Sequence, residues 1–172
     1  MVLSARGNRE AFATLVRRHQ DGLLNFFRRM GDYNDGEDLA QETFVRLFKY
    51  RKRYRPKAKF RTFLYVLARR TWIDHRRAAD TRRRAGEKLA ENTEIRLSGT
   101  DPARDADTRE HVAAALAGLS DEMRTVVVMS IYHGFKYREI AEIAGIPLGT
   151  VKTRMFHALR KLKEALSDEN ES

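Results

Sequence analysis

The run from Lys136 to Lys163, KYREIAEIAGIPLGTVKTRMFHALRKLK, constrains this chain most, because two short helices and a tight turn can be read in it. Ile140, Ala141 and Ala144 share one face of a first helix. Gly145 supplies the permissive backbone where that helix stops. Pro147 suits the first turn of the next helix, where an N–H would be unpaired anyway. Leu148, Val151, Met155, Leu159 and Leu162 then recur at helical spacing as an apolar stripe. The other face of this second helix carries Thr150, Thr153, Arg154, Phe156, His157, Arg160 and Lys161. The pattern predicts a helix-turn-helix offering polar and cationic side chains to a DNA major groove. The plainer alternative is a helical hairpin with a solvated basic face.

Charge points to a nucleic-acid partner for the rest of the chain too. The 172 residues carry a net charge of +10. The excess is uneven: residues 1–90 hold 23 basic and 10 acidic groups, residues 91–111 hold 3 and 6, and residues 112–172 hold 8 of each. The cationic field therefore belongs to the first half, so the helix-turn-helix is not the only expected contact. With no cysteine there is neither a disulfide nor cysteine-ligated zinc, which fits a reducing cytoplasm. No apolar run approaches the roughly 20 residues of a membrane span. The five histidines, His19, His75, His111, His133 and His157, show no paired ligand spacing. No phosphate loop or His-x-Glu signature accompanies the acidic residues, so neither an enzyme nor a cofactor or metal is expected.

The periodicity is helical throughout, and the expected class is all-α. A first helix spans 9–30, with Asn8 as a cap. A second begins near Asp35, with Glu37 and Asp38 in its positive first turn. Ala40, Phe44, Leu47 and Phe48 form its inner face, while Asp38, Gln41, Glu42 and Val45 line up on another. A basic loop with Pro56 at its centre leads to a third helix from about Phe60 to Arg77. Residues 91–109 read as an acidic, flexible linker. The parse is two small helical domains, 1–90 and 110–172, the second holding the helix-turn-helix, with Ser120 as a cap inside it.

On the third helix, Phe60, Phe63, Leu64, Leu67 and Thr71 share the core side, and Arg61, Tyr65, Arg69, Trp72 and Arg76 share the opposite one. Cations interleaved with exposed aromatics suit a single strand. Arginines pair with phosphates, and unstacked bases lie on rings at on the order of 1–3 kcal/mol per stack. The alternative is that Tyr65 and Trp72 pack against another helix. Asp74, on the apolar side, is expected to anchor a buried or half-buried arginine.

GNREAFATLVRRHQDGLLNFF, DGEDLAQETFVRLF, YRPKAKFRTFLYVLARRTWIDHRR and the helix-turn-helix run occur in this order. Together they resemble the extracytoplasmic-function (ECF) sigma factors of bacteria over nearly the whole chain outside the linker. The resemblance implies a factor that binds core RNA polymerase, at the beta-prime clamp helices and the beta flap, and directs it to promoter DNA, both duplex and melted. Asp38, Gln41, Glu42 and Val45 match the surface that docks on the clamp helices. Lys57, Phe60, Arg61, Tyr65, Arg69, Trp72 and Arg76 fall in the region that captures the melted minus-ten element. The face from Thr150 to Lys161 matches the reader of the minus-thirty-five duplex. An anti-sigma factor is a common partner in that family. Lys136 stands where a serine cap is usual and His157 where arginine is frequent. A helix-turn-helix regulator without sigma activity is the alternative function, but the cationic first half offers no ligand or phosphorylation domain.

Overall fold

The computed structural model describes residues 1–5, 7–55, 59–86 and 104–167, and every regular element among them is helical. After a single turn, α1 (Val2–Ala5), the first domain is built from α2 (Arg9–Arg29), α3 (Gly36–Tyr50) and α4 (Phe60–Arg84). Asn8 caps α2 by accepting the Ala11 N–H at 2.8 Å. Gly31, at φ +103°, ends it in a conformation that a side chain would strain. Leu23, Phe26 and Phe27 from α2, Leu39, Phe44 and Leu47 from α3, and Leu64 and Leu67 from α4 form the core. Each such side chain contributes about 1.5–3 kcal/mol on burial. Arg46 joins α3 to α4, donating to Asp74 at 2.6 Å and to Glu42 at 2.9 Å. Asp74 thus holds a half-buried arginine, as its apolar surroundings in the sequence suggest.

The second domain comprises α5 (Arg104–Ala117), α6 (Asp121–Val127), α7 (Tyr137–Ala144) and α8 (Leu148–Ser167). Ser120 caps α6 through the Met123 N–H. A π-helical turn, Val128–Tyr132, follows α6, and the His133 N–H reaches back five residues to the Val128 carbonyl. Gly145 closes α7 at φ +66°, in the left-handed region. Val151, Met155 and Ala158 of α8 are buried with Ile140 and Ile143 of α7. Lys136 does cap poorly through its own side chain, but Glu139 compensates by accepting the Lys136 N–H at 2.9 Å.

Several expectations are corrected. Helix α4 runs on to Arg84 rather than stopping near Arg77, and α5 begins at Arg104, inside the stretch read as linker. Residues 91–103 of that stretch lie outside the described residues. Leu159 is 47% exposed, because steps of four and three residues from Val151 through Met155 to Ala158 follow the helical turn and leave Leu159 about 100° past it. Phe48 is also exposed, its ring edge-on to Phe12 at 5.1 Å.

The two domains touch. Helix α4 packs on α7, and α2 meets the π-helical turn.

Candidate nucleic-acid interface

Two basic faces and one mixed face were expected to be functional, and the structure treats them differently. On α3, Asp38, Gln41, Glu42 and Val45 are all exposed, while Leu39, Ala40, Thr43 and Phe44 between them are buried. The helical repeat therefore separates the two sets cleanly. A cavity of about 260 Å³ between α2 and α3, lined in part by Gln20, Glu37 and Gln41, borders this face.

On α8 the outward face is open. Thr153, Phe156, Arg160 and Lys161 are exposed, and Thr150, Arg154 and His157 are half-buried at its margins. Phe156 is 65% exposed, with the His157 ring edge-on at 5.5 Å.

The aromatics of the α4 stripe are not open, which corrects the expectation that Tyr65 and Trp72 are exposed, while Arg61 and Arg76 stay exposed and Arg69 is half-buried. Trp72 is 4% exposed and its indole N–H donates to Asp32 at 2.5 Å, tying α4 to the turn after α2. Tyr65 is 3% exposed and lies among the rings of Phe26, His133 and Phe135. Burial pushes its hydroxyl up to about 12. That hydroxyl is 2.9 Å from His133 Nδ1. The His133 ring is held down to about 4 by burial, with Arg61 and Arg29 adding repulsion. Arg61 donates to the His133 carbonyl and lies over Phe135, and Arg76 is 3.7 Å from Asp121. Arg69 is half-buried; burial lowers its pKa, and the nearby Arg154 guanidinium adds to the effect. Phe60 is half-buried against His19 and Tyr54, and Lys57 lies outside the described residues.

Among the described residues one group has the atoms to hold a metal ion. His75 Nε2 lies 3.5 Å from Asp32 and 3.3 Å from Asp35. With Asp32 already accepting from Trp72, this polar cluster ties α4 to the turn between α2 and α3. Burial raises the Asp32 pKa, against the pull of His75 and the indole. The sequence hid this cluster, since 40 or more residues separate His75 from the aspartates. It equally hid Arg124, which donates to four carbonyls, including Met30 in the other domain at 2.9 Å. A cation just ahead of the apolar residues Val126, Val127, Val128 and Met129 was the available signal.

Comparison with known proteins now decides the family. The Sigma-70 region 2 family matches residues 15–82 and the Sigma-70 region 4 family matches residues 109–162. The ECF RNA polymerase sigma factor SigW of Bacillus subtilis (strain 168) is 30% identical, over 95% of this chain and 92% of that protein. This chain belongs to the ECF sigma factors. The ECF RNA polymerase sigma-E factor of Haemophilus influenzae is 29% identical, over 94% of the sigma factor described here and 90% of its own length. Among solved structures, CnrH in complex with the cytosolic domain of CnrY aligns with a TM-score of 0.73 at 26% identity, covering 96% of this chain and 94% of that one. The first matched region falls within α2–α4 and the second within α5–α8. The sigma factor has no helix among the described residues long and apolar enough to cross a membrane.

Proposed function

We propose that this sigma factor acts without enzymatic chemistry in the cytoplasm, by holding core RNA polymerase with one face and promoter DNA with two others. Asp38, Gln41, Glu42 and Val45 dock on the clamp helices of the beta-prime subunit, and the second domain sits at the beta flap. The α8 face from Thr150 to Lys161 reads the minus-thirty-five duplex. Lys57, Phe60, Arg61, Tyr65, Arg69, Trp72 and Arg76 serve the minus-ten element once it is melted, with Trp72 acting through the position of α4 rather than by stacking. An anti-sigma factor is a further partner; the similar structure of CnrH holds another protein, the cytosolic domain of CnrY.

The observation that carries this reading is the pairing of an exposed Thr153, Phe156 and Arg160 row on α8 with a buried Val151, Met155 and Ala158 row beneath it. A recognition helix needs that division: one side seats it on α7 and the other is free to enter a groove.

Run-off transcription with core polymerase, on duplex and on pre-melted bubble templates, tests the division of labour. Arg154→Ala is expected to lower transcription from both templates. A bidentate contact to a guanine edge lost at this position would cost about 1–3 kcal/mol. Arg69→Ala is expected to be rescued in part by the bubble. Equal rescue of both variants would contradict the assignment. Asp38→Arg combined with Gln41→Ala is expected to weaken core binding while the protein stays folded, because both side chains lie off the core. Wild-type affinity in that folded double variant would remove the docking face.

A further inference from the structure

Three side chains from three parts of the first domain converge on one point: Asp32 in the turn after α2, Asp35 at the start of α3 and His75 on α4. One ligand atom from each lies within 4.8 Å of the other two. His75 Nε2 stands 3.5 Å from Asp32 Oδ1 and 3.3 Å from Asp35 Oδ2. A charge-assisted hydrogen bond would draw nitrogen and carboxylate oxygen to about 2.7–2.9 Å, and neither oxygen has closed that far. Both separations instead match the edge of a tetrahedron around a metal ion. With metal–nitrogen bonds of about 2.0–2.1 Å and metal–oxygen bonds of about 2.0–2.2 Å, neighbouring ligand atoms lie about 3.3–3.5 Å apart.

Features outside the triad also point to a cation. The Trp72 indole N–H donates to Asp32 Oδ2, which fixes this carboxylate and leaves Oδ1 turned to the imidazole. A ligand oriented by an outer hydrogen-bond donor is the usual arrangement around a bound metal. Asp35 stands at the N-cap of α3, where an aspartate normally accepts a helix N–H, yet its side chain makes no capping hydrogen bond and faces His75 instead. The Asp32 side chain is only 10% exposed. Burial raises its pKa and the Asp35 charge adds to the effect, so the two carboxylates repel where they meet. A cation between them offsets that repulsion. Asp35, with its side chain 54% exposed, leaves one side of the site open to water.

We propose that Asp32, Asp35 and His75 form a binding site for a divalent transition-metal ion, zinc by its donor set and edge lengths, with water as the fourth ligand. An imidazole with two carboxylates suits zinc, whereas magnesium and calcium take oxygen ligands in larger number. The ion braces α4 against the start of α3, one turn ahead of Asp38 of the docking face. Because the site opens to solvent at Asp35, its occupancy follows the free zinc concentration.

The chain carries its own reporter, since Trp72 is its only tryptophan and its indole N–H rests on a ligand carboxylate. The full-length protein, stripped with a chelator and desalted, is titrated with zinc at neutral pH and followed by tryptophan emission and calorimetry. The emission is expected to change saturably with one zinc per chain. Cobalt(II) is expected to quench Trp72 and to show the strong visible absorption of a tetrahedral ion, which zinc then abolishes. His75→Gln and Asp35→Asn are each expected to weaken zinc binding at least about tenfold, with the exposed His111→Gln unchanged within about twofold. Asparagine caps a helix as well as aspartate does, so Asp35→Asn keeps a folded chain for the test should His75→Gln fail to fold. Unaltered emission on adding zinc overturns the proposal, even where calorimetry records an ion bound elsewhere on the chain. Undiminished zinc affinity in Asp35→Asn, or an equal response to magnesium at the same concentration, overturns it as well.

Discussion

Helices α4 and α8 are both long, basic and lined with aromatic and cationic residues on the side away from their own core, yet the aromatics are covered on one and open on the other. On α4, Tyr65 and Trp72 are among the most buried aromatics of the chain; on α8, Phe156 is 65% exposed. The difference lies in what faces each helix. The Trp72 indole meets Asp32 in the turn after α2, and Tyr65 meets His133 and Phe135 across the domain boundary. Helical periodicity names the faces of a helix, but whether a second face meets water or another domain is decided by residues 40 to 70 positions away.

Truncating the two aromatic positions should sharpen that contrast most. Trp72→Ala removes a buried ring and leaves Asp32 without its donor, so a loss of about 3–5 kcal/mol is expected in urea unfolding. Phe156→Ala should stay within about 0.5 kcal/mol of the parent. Comparable losses would break the comparison.

Acid should act on the covered face next. His133 is neutral in the folded chain, with a pKa near 4 against 6.5 when unfolded. The unfolded chain therefore binds more protons between these values. The contribution is complete above about pH 6.5, declines as pH falls toward 4, and amounts to at most about 3 kcal/mol. The stability difference between the parent and His133→Asn should shrink over that window. A difference independent of pH would show that the ring is not held neutral by its surroundings.

The smallest expected effects lie at helix ends. Gly145→Ala forces a side chain into a left-handed backbone and should cost about 1 kcal/mol. Asn8→Ala removes the cap of α2, at about 1 kcal/mol or less. Losing Gly145 should also lower duplex binding, because it sets the angle between α7 and α8, whereas Asn8→Ala should leave duplex binding unchanged in an anisotropy titration.

These helix ends were the most legible part of the sequence. Asn8, Ser120 and Gly145 act locally, through bonds within a few residues, and their chemistry names them. The helix-turn-helix was legible for the same reason. The exposed face of α3 followed from its period, since Leu39, Ala40 and Phe44 leave Asp38, Gln41 and Glu42 no place in the core. The α4 stripe was not legible. The alternative that Tyr65 and Trp72 pack against neighbours fits the structure, because a ring carrying one polar atom suits a half-polar interior as well as it suits a base. The π-helical turn and the Asp32, Asp35 and His75 cluster left no local signature, for their partners come from elements brought together only by the fold.

The contrast between the two helices can be read directly in the unmodified protein, because each surface carries one histidine. Carbethoxylation at neutral pH, followed residue by residue by mass spectrometry, compares His133 in the covered contact with His157 on the open face. His157 is expected to react at least tenfold faster than His133 in the free chain. Equal rates at the two positions would contradict the closed arrangement on which the account rests.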